Sequence, residues 1–206
     1  MKKLLLIESS PRKERSHSSK AAATLLQALQ AKDNSLLVDK INLFEADLPP
    51  FDGYTISAKY AVMHGQPHDE KQAKAWQVVK DLAERFSAAD IYIISIPMWN
   101  FSIPYRLKHY IDLLVQPGLT FSVDEAGQYN GLLKNKKAYL VYASGGVYTE
   151  EAGTAAYDQQ KGYMRQILGF IGITDIQEII AAPTLAGPEA AEKADKDAAQ
   201  QIGTIA

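Results

Sequence analysis

The stretch that decides the fold is residues 95–110, which read S-I-P-M-W-N-F-S-I-P-Y-R-L-K-H-Y. It follows an apolar run at residues 90–94, which is typical of a strand buried on both faces of a sheet. Pro97 cannot donate a hydrogen bond to a neighbouring strand and should end this one, while Pro104 suits the first position of a helix. The chain between the two prolines therefore crosses the carboxyl edge of the sheet, where open α/β sheets bind ligands.

The crossing between the prolines carries two aromatic residues, Trp99 and Phe101, around one amide side chain, Asn100. We expect several backbone N–H groups of residues 98–101 to lack a partner in the sheet. A flat heterocycle with hydrogen-bond acceptors along one edge would suit this loop. A second interpretation is that the aromatic side chains simply close the edge of the hydrophobic core.

The rest of the chain alternates five buried strands with helices, which predicts a doubly wound parallel sheet with helices on both faces. The flavodoxin-like strand order 2-1-3-4-5 is favoured, because a six-stranded dinucleotide-binding sheet would need another βα unit and the fingerprint G-x-G-x-x-G is missing. The strands are predicted at residues 4–7, 36–43, 90–94, 137–143 and 176–182. The helices are predicted at residues 18–31, 57–63, 69–88, 105–115, 154–171 and 188–202, with a hairpin arm at 119–127.

The length of 206 residues predicts a single domain spanning 1–206, and the 47 % hydrophobic content supports a complete core. The net charge of -2, with both signs mixed along the chain, argues against a nucleic-acid or membrane partner. No run approaches the ~20 apolar residues that a membrane span requires, and the apolar start is too short for a signal peptide. We therefore expect a soluble, cytoplasmic protein.

Several kinds of chemistry are excluded or disfavoured by what the sequence lacks. Cysteine is absent, which excludes a thiolate nucleophile and a disulfide framework. The histidines, His17, His64, His68 and His109, show no paired spacing with acidic residues, so no metal site is expected. The nucleophile motif G-x-S-x-G is also missing, which disfavours Ser-His-Asp hydrolysis, and His109 is expected to be structural.

The loop after the first strand places polar side chains at the start of a helix. Free N–H groups and the helix dipole make a helix start a binding site for anions, and hydroxyl groups add ligands for phosphate oxygens. Arg12 and Lys13 flank the loop and favour this interpretation; alternatively, the serines only cap the helix and favour a turn. Both interpretations stay open at this point. The polar residues are Ser9, Ser10, Ser16, His17 and Ser18.

Two further segments are candidates for the same edge of the sheet. The loop after the fourth strand reads Ser144-Gly145-Gly146, which is either an ordinary turn or a place where a ring approaches the backbone closely. Phe121 on the hairpin arm is either an aromatic residue that faces a partner or an isolated exposed one.

Four separated motifs make the chain resemble the FMN-dependent azoreductases, which are grouped with the quinone reductases among flavodoxin-like proteins. The most specific motif is the loop between the two prolines, which is similar to the P-M-Y/W-N-F loop of that family. The motifs are P-M-W-N-F-S-I-P at 97–104, L-K-x-Y-x-D at 107–112, G-x-T-F at 118–121 and L-G-F-I-G-I at 168–173.

The resemblance implies a bound FMN, NADH or NADPH as electron donor, and reduction of quinones and azo compounds by ping-pong hydride transfer. It implies that the FMN phosphate is held by three hydroxyls and one amide, from Ser10, Ser16, Ser18 and His17. It implies that the ring is held by two loops, whose residues are Pro97, Met98, Trp99, Asn100, Phe101, Ser144, Gly145 and Gly146. The candidate catalytic residues are Asn100, as a donor to the negative charge that develops on the ring edge, and Phe121.

The resemblance also implies a homodimer with each ring at the subunit interface, where Phe121 and the segment around Ile167 border the partner's substrate face. The family often reads S-R-G-G where this chain has A-S-G-G at 143–146, so an arginine contact near the ring is replaced. The alternative function is a flavodoxin-type electron carrier without its own substrate, which the near-neutral charge and the long segment at 44–66 disfavour. The aromatic residues expected to be exposed at the interface are Phe51, Tyr54, Tyr60, Phe121 and Tyr129.

Overall fold

The computed structural model describes residues 1–67 and 69–205. Short 3₁₀ turns lie at Lys13–Arg15 and Ala155–Tyr157. The strands and helices are, in chain order, β1 (Lys3–Glu8), α1 (His17–Lys32), β2 (Leu37–Asn42), α2 (Gly53–Met63), α3 (Glu70–Ser87), β3 (Ile91–Pro97), α4 (Tyr105–Leu114), β4 (Phe121–Val123), β5 (Tyr129–Gly131), β6 (Lys137–Ala143), α5 (Lys161–Phe170), β7 (Asp175–Ala181) and α6 (Pro188–Ile205).

The main sheet has five parallel strands in the order β2-β1-β3-β6-β7. This confirms the predicted flavodoxin-like order, because β4 and β5 form a separate antiparallel hairpin and are not counted in the main sheet. Leu4 and Leu6 of β1 pack in one hydrophobic cluster with α1 and α6, whereas Leu5 and Ile7 pack in another with α3, α4 and α5. Alternate side chains of a strand point to opposite faces, so both faces of the sheet are covered by helices.

Two predicted helix boundaries are wrong because side-chain caps start the helices elsewhere. The helix predicted at 154–171 begins only at Lys161, since the Asp158 carboxylate accepts hydrogen bonds from the N–H groups of Gln160 and Lys161 at 3.0 Å each. The helix predicted at 57–63 begins four residues earlier, because Asp52 caps the chain ahead of Gly53. Side-chain oxygens satisfy the free N–H groups of a first helical turn and so determine where a helix begins.

Side chains of α4 form hydrogen bonds with the backbone of the long segment that follows β2. Arg106 donates hydrogen bonds from its guanidinium group to the carbonyl oxygens of Leu43 and Ala46, each at 2.6 Å. His109 contacts the carbonyl oxygen of Pro49 through Nε2 at 2.9 Å. His109 therefore has the structural role that was predicted for it. Helix α4 begins at Tyr105, and Pro104 is its N-cap and not its first helical residue as predicted.

The hairpin of β4 and β5 docks against the end of α5 through a close approach of two backbones. Leu133, just after the hairpin, donates a hydrogen bond from its N–H to the carbonyl oxygen of Ile171 at 2.9 Å. A Cβ atom added to Gly131 would lie only 2.3 Å from the nitrogen of Gly172 and 2.4 Å from the carbonyl carbon of Ile171. The absence of a side chain at Gly131 therefore permits the hairpin to reach its position.

The substitution Gly131→Ala is expected to destabilise the fold by about 1–3 kcal/mol, the usual cost of inserting a methyl group into a filled space. Both clashing partners are backbone atoms, so neither can move without shifting the hairpin. Urea unfolding of the two proteins measures the difference. The matched control is Gly162→Ala on α5, where no atom outside the local helix backbone lies within 4 Å of the added Cβ, and which should stabilise by about 0.5–1 kcal/mol. Equal effects of the two substitutions would contradict the docking argument.

Candidate functional site

Three loops that follow neighbouring strands converge at the carboxyl edge of the main sheet. The first is tied to β3, since the N–H of Ser9 donates to the carbonyl oxygen of Ser95 at 3.3 Å. The second is tied to β6, since the N–H of Met98 donates to the carbonyl oxygen of Ala143 at 2.7 Å. The sites predicted separately along the sequence are therefore assembled in one place. The first loop is residues 9–16 after β1, the second loop is 98–104 after β3, and the third loop is 144–148 after β6.

The first loop leads directly into the start of α1. Ser16 is the N-cap, and its hydroxyl accepts a hydrogen bond from the N–H of Ser19 at 3.3 Å, so the predicted capping role is confirmed for Ser16. Ser10 and Ser18 are also buried, and the Ser18 hydroxyl lies 3.2 Å from that of Ser16. Within the described chain, the N–H groups of His17 and Ser18 have no hydrogen-bond partner. Buried hydroxyls and free N–H groups at a helix start have the chemistry of a phosphate site.

Ser95 supports the first loop from the middle of β3, and sequence reasoning missed it. Its hydroxyl lies 3.3 Å from that of Ser18 and 3.2 Å from that of Ser19. Its carbonyl oxygen accepts a hydrogen bond from the Ser9 hydroxyl at 2.6 Å. Ser95 itself is fully buried, and the signal that could have found it is a hydroxyl inside an apolar strand.

His17 offers its backbone N–H, and not its imidazole, as a donor at the start of α1. The imidazole Nδ1 lies 2.7 Å from a carboxylate oxygen of Asp195 on α6. Lys20 lies 4.0 Å from the other oxygen of the same carboxylate. Asp195 was not predicted, because it lies 178 residues from His17 and no local pattern connects the two. The pair joins the start of α1 to the closing helix of the chain.

The second loop is a tight turn built on two left-handed residues. Asn100 and Phe101 have φ angles of 47° and 68°, which residues other than glycine rarely adopt. Trp99 and Ser102 exchange two backbone hydrogen bonds, at 2.9 and 3.0 Å, across this turn. The expectation that several N–H groups of residues 98–101 lack a partner in the sheet is wrong for Met98, whereas the N–H of Trp99 bonds only within the turn. It holds for Asn100 and Phe101, whose N–H groups have no partner among residues 1–67 and 69–205.

The two aromatic residues of the second loop occupy different environments. Trp99 is half-buried, with its ring centroid 5.7 Å from that of Phe44, so it partly closes the core edge. Phe101 is 45 % exposed, with its ring centroid 5.2 Å from that of Tyr157. The interpretation of both as core aromatics is therefore wrong for Phe101. Its ring stands at the open edge of the site.

The third loop presents two further backbone N–H groups. The Ser144 hydroxyl donates to the carbonyl oxygen of Gly146 at 2.8 Å, which closes the loop on itself. A Cβ atom on Gly145 would lie 2.7 Å from Cδ1 of Leu185, so the absence of a side chain at Gly145 makes room for Leu185. Leu185 was not predicted, and its side chain is 79 % exposed. Among the described residues, the N–H groups of Gly145 and Gly146 have no partner.

Phe121 lies apart from the three loops within the chain. Its ring centroid is 4.8 Å from that of Phe170 at the end of α5 and 5.9 Å from that of Tyr129 on β5. The structure therefore brings together every predicted site residue except Phe121.

No group of histidine, cysteine, aspartate or glutamate that could hold a metal ion occurs within residues 1–67 and 69–205. His68, one of the four histidines considered from the sequence, lies outside the described residues. No described helix is long and apolar enough to cross a bilayer. The donors at the edge of the sheet are hydroxyls and backbone N–H groups, which suit a phosphate and a flat ring with acceptor atoms.

Comparison with known proteins defines the class first. A family model described as a flavodoxin-like fold matches residues 2–205. An FMN-dependent NADH:quinone oxidoreductase of Nitratidesulfovibrio vulgaris (strain DP4) is 43 % identical over 207 residues, covering 100 % of this chain and 99 % of the relative. FMN-dependent NADH:quinone oxidoreductase 3 of Pseudomonas fluorescens is 38 % identical over 208 residues, covering 100 % and 96 %.

Solved structures agree with this class. An azoreductase from Bacillus anthracis str. Sterne superposes with a TM-score of 0.90 at 27 % identity, covering 100 % of this chain and 98 % of the other. An FMN-dependent NADH-azoreductase from Bacillus anthracis str. Ames Ancestor, solved in complex with FMN, has a TM-score of 0.88 at 28 % identity, covering 100 % of both chains. The chain belongs to the family of FMN-dependent NADH:quinone oxidoreductases, and the resemblance drawn from its motifs is confirmed.

Proposed function

We propose that this protein is an FMN-dependent NADH:quinone oxidoreductase that also reduces azo compounds, with residues 1–206 forming one FMN-binding domain. The observation that carries the proposal is that the first and second loops lie at one sheet edge: Ser9 of the first loop bonds to Ser95 of β3, the strand that leads into the second loop. The first loop offers hydroxyls and free N–H groups, and the second offers free N–H groups beside an exposed aromatic ring. The relatives named above support the enzyme over an electron carrier.

The residues present fit FMN, because the anion site lies at a single helix start and serves one phosphate. Bound FMN supplies two-electron chemistry, accepting a hydride from the nicotinamide and passing it to the acceptor. Hydroxyls and amides of Ser10, Ser16, Ser18 and His17 hold the phosphate in this proposal. The ring is held by the second and third loops, at Pro97, Met98, Trp99, Asn100, Phe101, Ser144, Gly145 and Gly146.

The chain's own contribution to the reaction is donation of hydrogen bonds to a ring edge that becomes more negative. The free N–H groups of the turn at Asn100 and Phe101 are fixed before reaction, so no reorganisation is needed as charge develops. Hydride transfer requires no acid–base pair on the protein. The loops also hold two flat molecules in turn against one face of the ring.

The proposal is tested by the absorption spectrum of the purified protein and by NADH oxidation with a quinone. We expect a yellow protein that releases FMN on denaturation and turns over NADH only when quinone or an azo dye is present. A protein that holds FMN but sustains no turnover would be an electron carrier. A colourless protein that takes up no added FMN would overturn both functions.

Steady-state kinetics with NADH and a quinone are expected to be ping-pong, with parallel lines in double-reciprocal plots. Both molecules are planar, and a single stacked slot beside Trp99 and Phe101 cannot hold them together. The donor must therefore leave before the acceptor enters. Intersecting lines would show that both bind at once and would remove the shared slot.

We further propose a homodimer whose interface carries the hairpin and the long segment at 44–66, which contains α2, in a cytoplasmic protein without nucleic-acid or membrane partners. The mixed charges and net charge of -2 support the absence of such partners. The exposure expected for Phe51, Tyr54 and Phe121 is wrong, since each is half-buried. The expected exposure is correct for Tyr60 and Tyr129, and four apolar side chains of α2 and the hairpin are also more than a third exposed: Ile56, Val62, Met63 and Val123.

Sedimentation at micromolar concentration is expected to show a dimer, whose interface buries at least ~1,200 Å² as specific interfaces do. Val62→Glu on α2 should shift the protein toward monomer and lower turnover, because a charge would lose its water on assembly. The matched control is Leu37→Glu on β2, which is 47 % exposed and lies outside the proposed interface. A wild-type monomer with full activity would disprove the dimer.

A further inference from the structure

Gln159 and Gln160, between the second 3₁₀ turn and α5, form hydrogen bonds to the backbone of the second loop and of the strand before it. The backbone N–H of Gln159 donates to the carbonyl oxygen of Phe101 at 3.0 Å. The side-chain amide of Gln160 donates from Nε2 to the carbonyl oxygen of Ile96 at 3.1 Å. One hydrogen bond therefore reaches the turn, and the other reaches the end of β3 from which the turn departs.

Gln160 is the buried residue of these two. The residue is 1 % exposed, and its hydrogen bond spans 64 residues of sequence. A carbonyl oxygen only accepts hydrogen bonds, so the amide nitrogen must face Ile96. The backbone of Gln160 is itself fixed, because Asp158 accepts its N–H at 3.0 Å and forms an ion pair with Lys161 at 2.8 Å.

The turn needs such support because of its backbone geometry. Asn100 and Phe101 are consecutive left-handed residues, and neither is glycine. Such conformations persist where the surroundings over-determine them, and they concentrate at functional sites. The N–H groups left free by the turn keep their direction only while β3 and the turn keep their relative position.

We propose that Gln160 is a positioning residue for the ring, acting through the second loop. It holds the end of β3 so that the free N–H groups of Asn100 and Phe101 meet the acceptor edge of the bound ring. This role rests on the proposed function, since it assigns that ring to FMN.

The test replaces Gln160 by methionine, which keeps the length of the side chain and removes the donor. Flavin reduction by NADH in the holoenzyme is expected to slow about tenfold, below the ~100-fold that a 1 Å misplacement costs. A second readout uses apoprotein in a Trp76→Phe background, because Trp76 and Trp99 are the two tryptophans of the chain. The emission of Trp99 then reports the second loop directly, and it should shift in Gln160→Met.

The matched control is Gln201→Met. Gln201 on α6 also donates from its amide to a strand carbonyl oxygen, that of Ile180 on β7, at 3.0 Å. Its loss should cost comparable stability in urea without changing Trp99 emission or flavin reduction. If Gln160→Met does not fold, Gln160→Asn replaces it, since an amide shortened by one methylene cannot span the distance to Ile96.

Unchanged Trp99 emission together with wild-type flavin reduction in the Gln160 variant would overturn the positioning role. So would equal changes in the Gln201 control, because they would reduce the effect to general destabilisation. The results would differ if the proposed function, and not the role of Gln160, were wrong. The wild-type protein would then bind no FMN or sustain no turnover, while Trp99 emission in apoprotein would still report whether Gln160 supports the loop.

Discussion

Replacing Asn100 by alanine is expected to slow the reduction of bound flavin by NADH by roughly 10–1,000-fold, the scale set by losing a well-placed oxyanion-type donor. The side chain is exposed at the edge of the site, and its amide has no hydrogen-bond partner within the described chain. It is therefore free to donate to a ring edge that becomes negative. Stopped-flow measurement of flavin absorbance gives the rate, and titration of apoprotein should show a smaller change in FMN affinity.

The control for this experiment is Asn100→Gly. Asn100 has a φ angle of 47°, so alanine strains the turn as well as removing the amide, whereas glycine accepts this conformation freely. If the amide donates in the reaction, both variants should lose the rate to a similar extent. A glycine variant with the wild-type rate would assign the alanine effect to backbone strain and would end the catalytic role of Asn100.

Replacing Ser16 and Ser18 together by alanine is expected to weaken FMN binding by about 1–3 kcal/mol, the scale of lost hydrogen bonds to a charged group. This corresponds to roughly 5- to 150-fold in the dissociation constant. Both hydroxyls are buried at the start of α1, with 3 % and 0 % exposure, so water cannot replace them at a bound phosphate. Titration of apoprotein with FMN, followed by flavin fluorescence, measures the change.

Two controls separate phosphate binding from helix capping. Ser16 caps α1 through the N–H of Ser19, and an alanine cap costs about 1 kcal/mol, whereas a glycine cap costs only a few tenths. The variant with Ser16→Gly and Ser18→Ala should therefore lose FMN affinity as the double alanine variant does, with less loss of stability. Riboflavin lacks the phosphate and should bind wild type and variant alike. Equal losses for riboflavin and FMN would remove the phosphate assignment.

Structural features that depend on a few adjacent residues were predicted correctly. β6 begins and ends at the predicted residues, because Lys137 is followed by an uninterrupted apolar run at 138–143 that ends at Ser144-Gly145-Gly146. Pro97 ends β3 as its missing N–H requires. The predicted start of α5 was wrong: residues 158–160 read D-Q-Q and carry no apolar pattern, and the Asp158 carboxylate accepts the N–H groups of Gln160 and Lys161 where the helix begins.

The sequence by itself determined the alternation of strands and helices, the strand order, the position of the second loop and the family motifs. Each of these follows from residue type and local spacing, which set backbone preference and the side that is buried. Only the tertiary structure decided which distant groups support the site. Ser95 and Asp195 contact partners that lie 76 and 178 residues away in the sequence. Gln160 contacts a partner 64 residues away. Such pairings depend on how the layers pack, because a buried donor takes whichever acceptor the packed chain brings within reach.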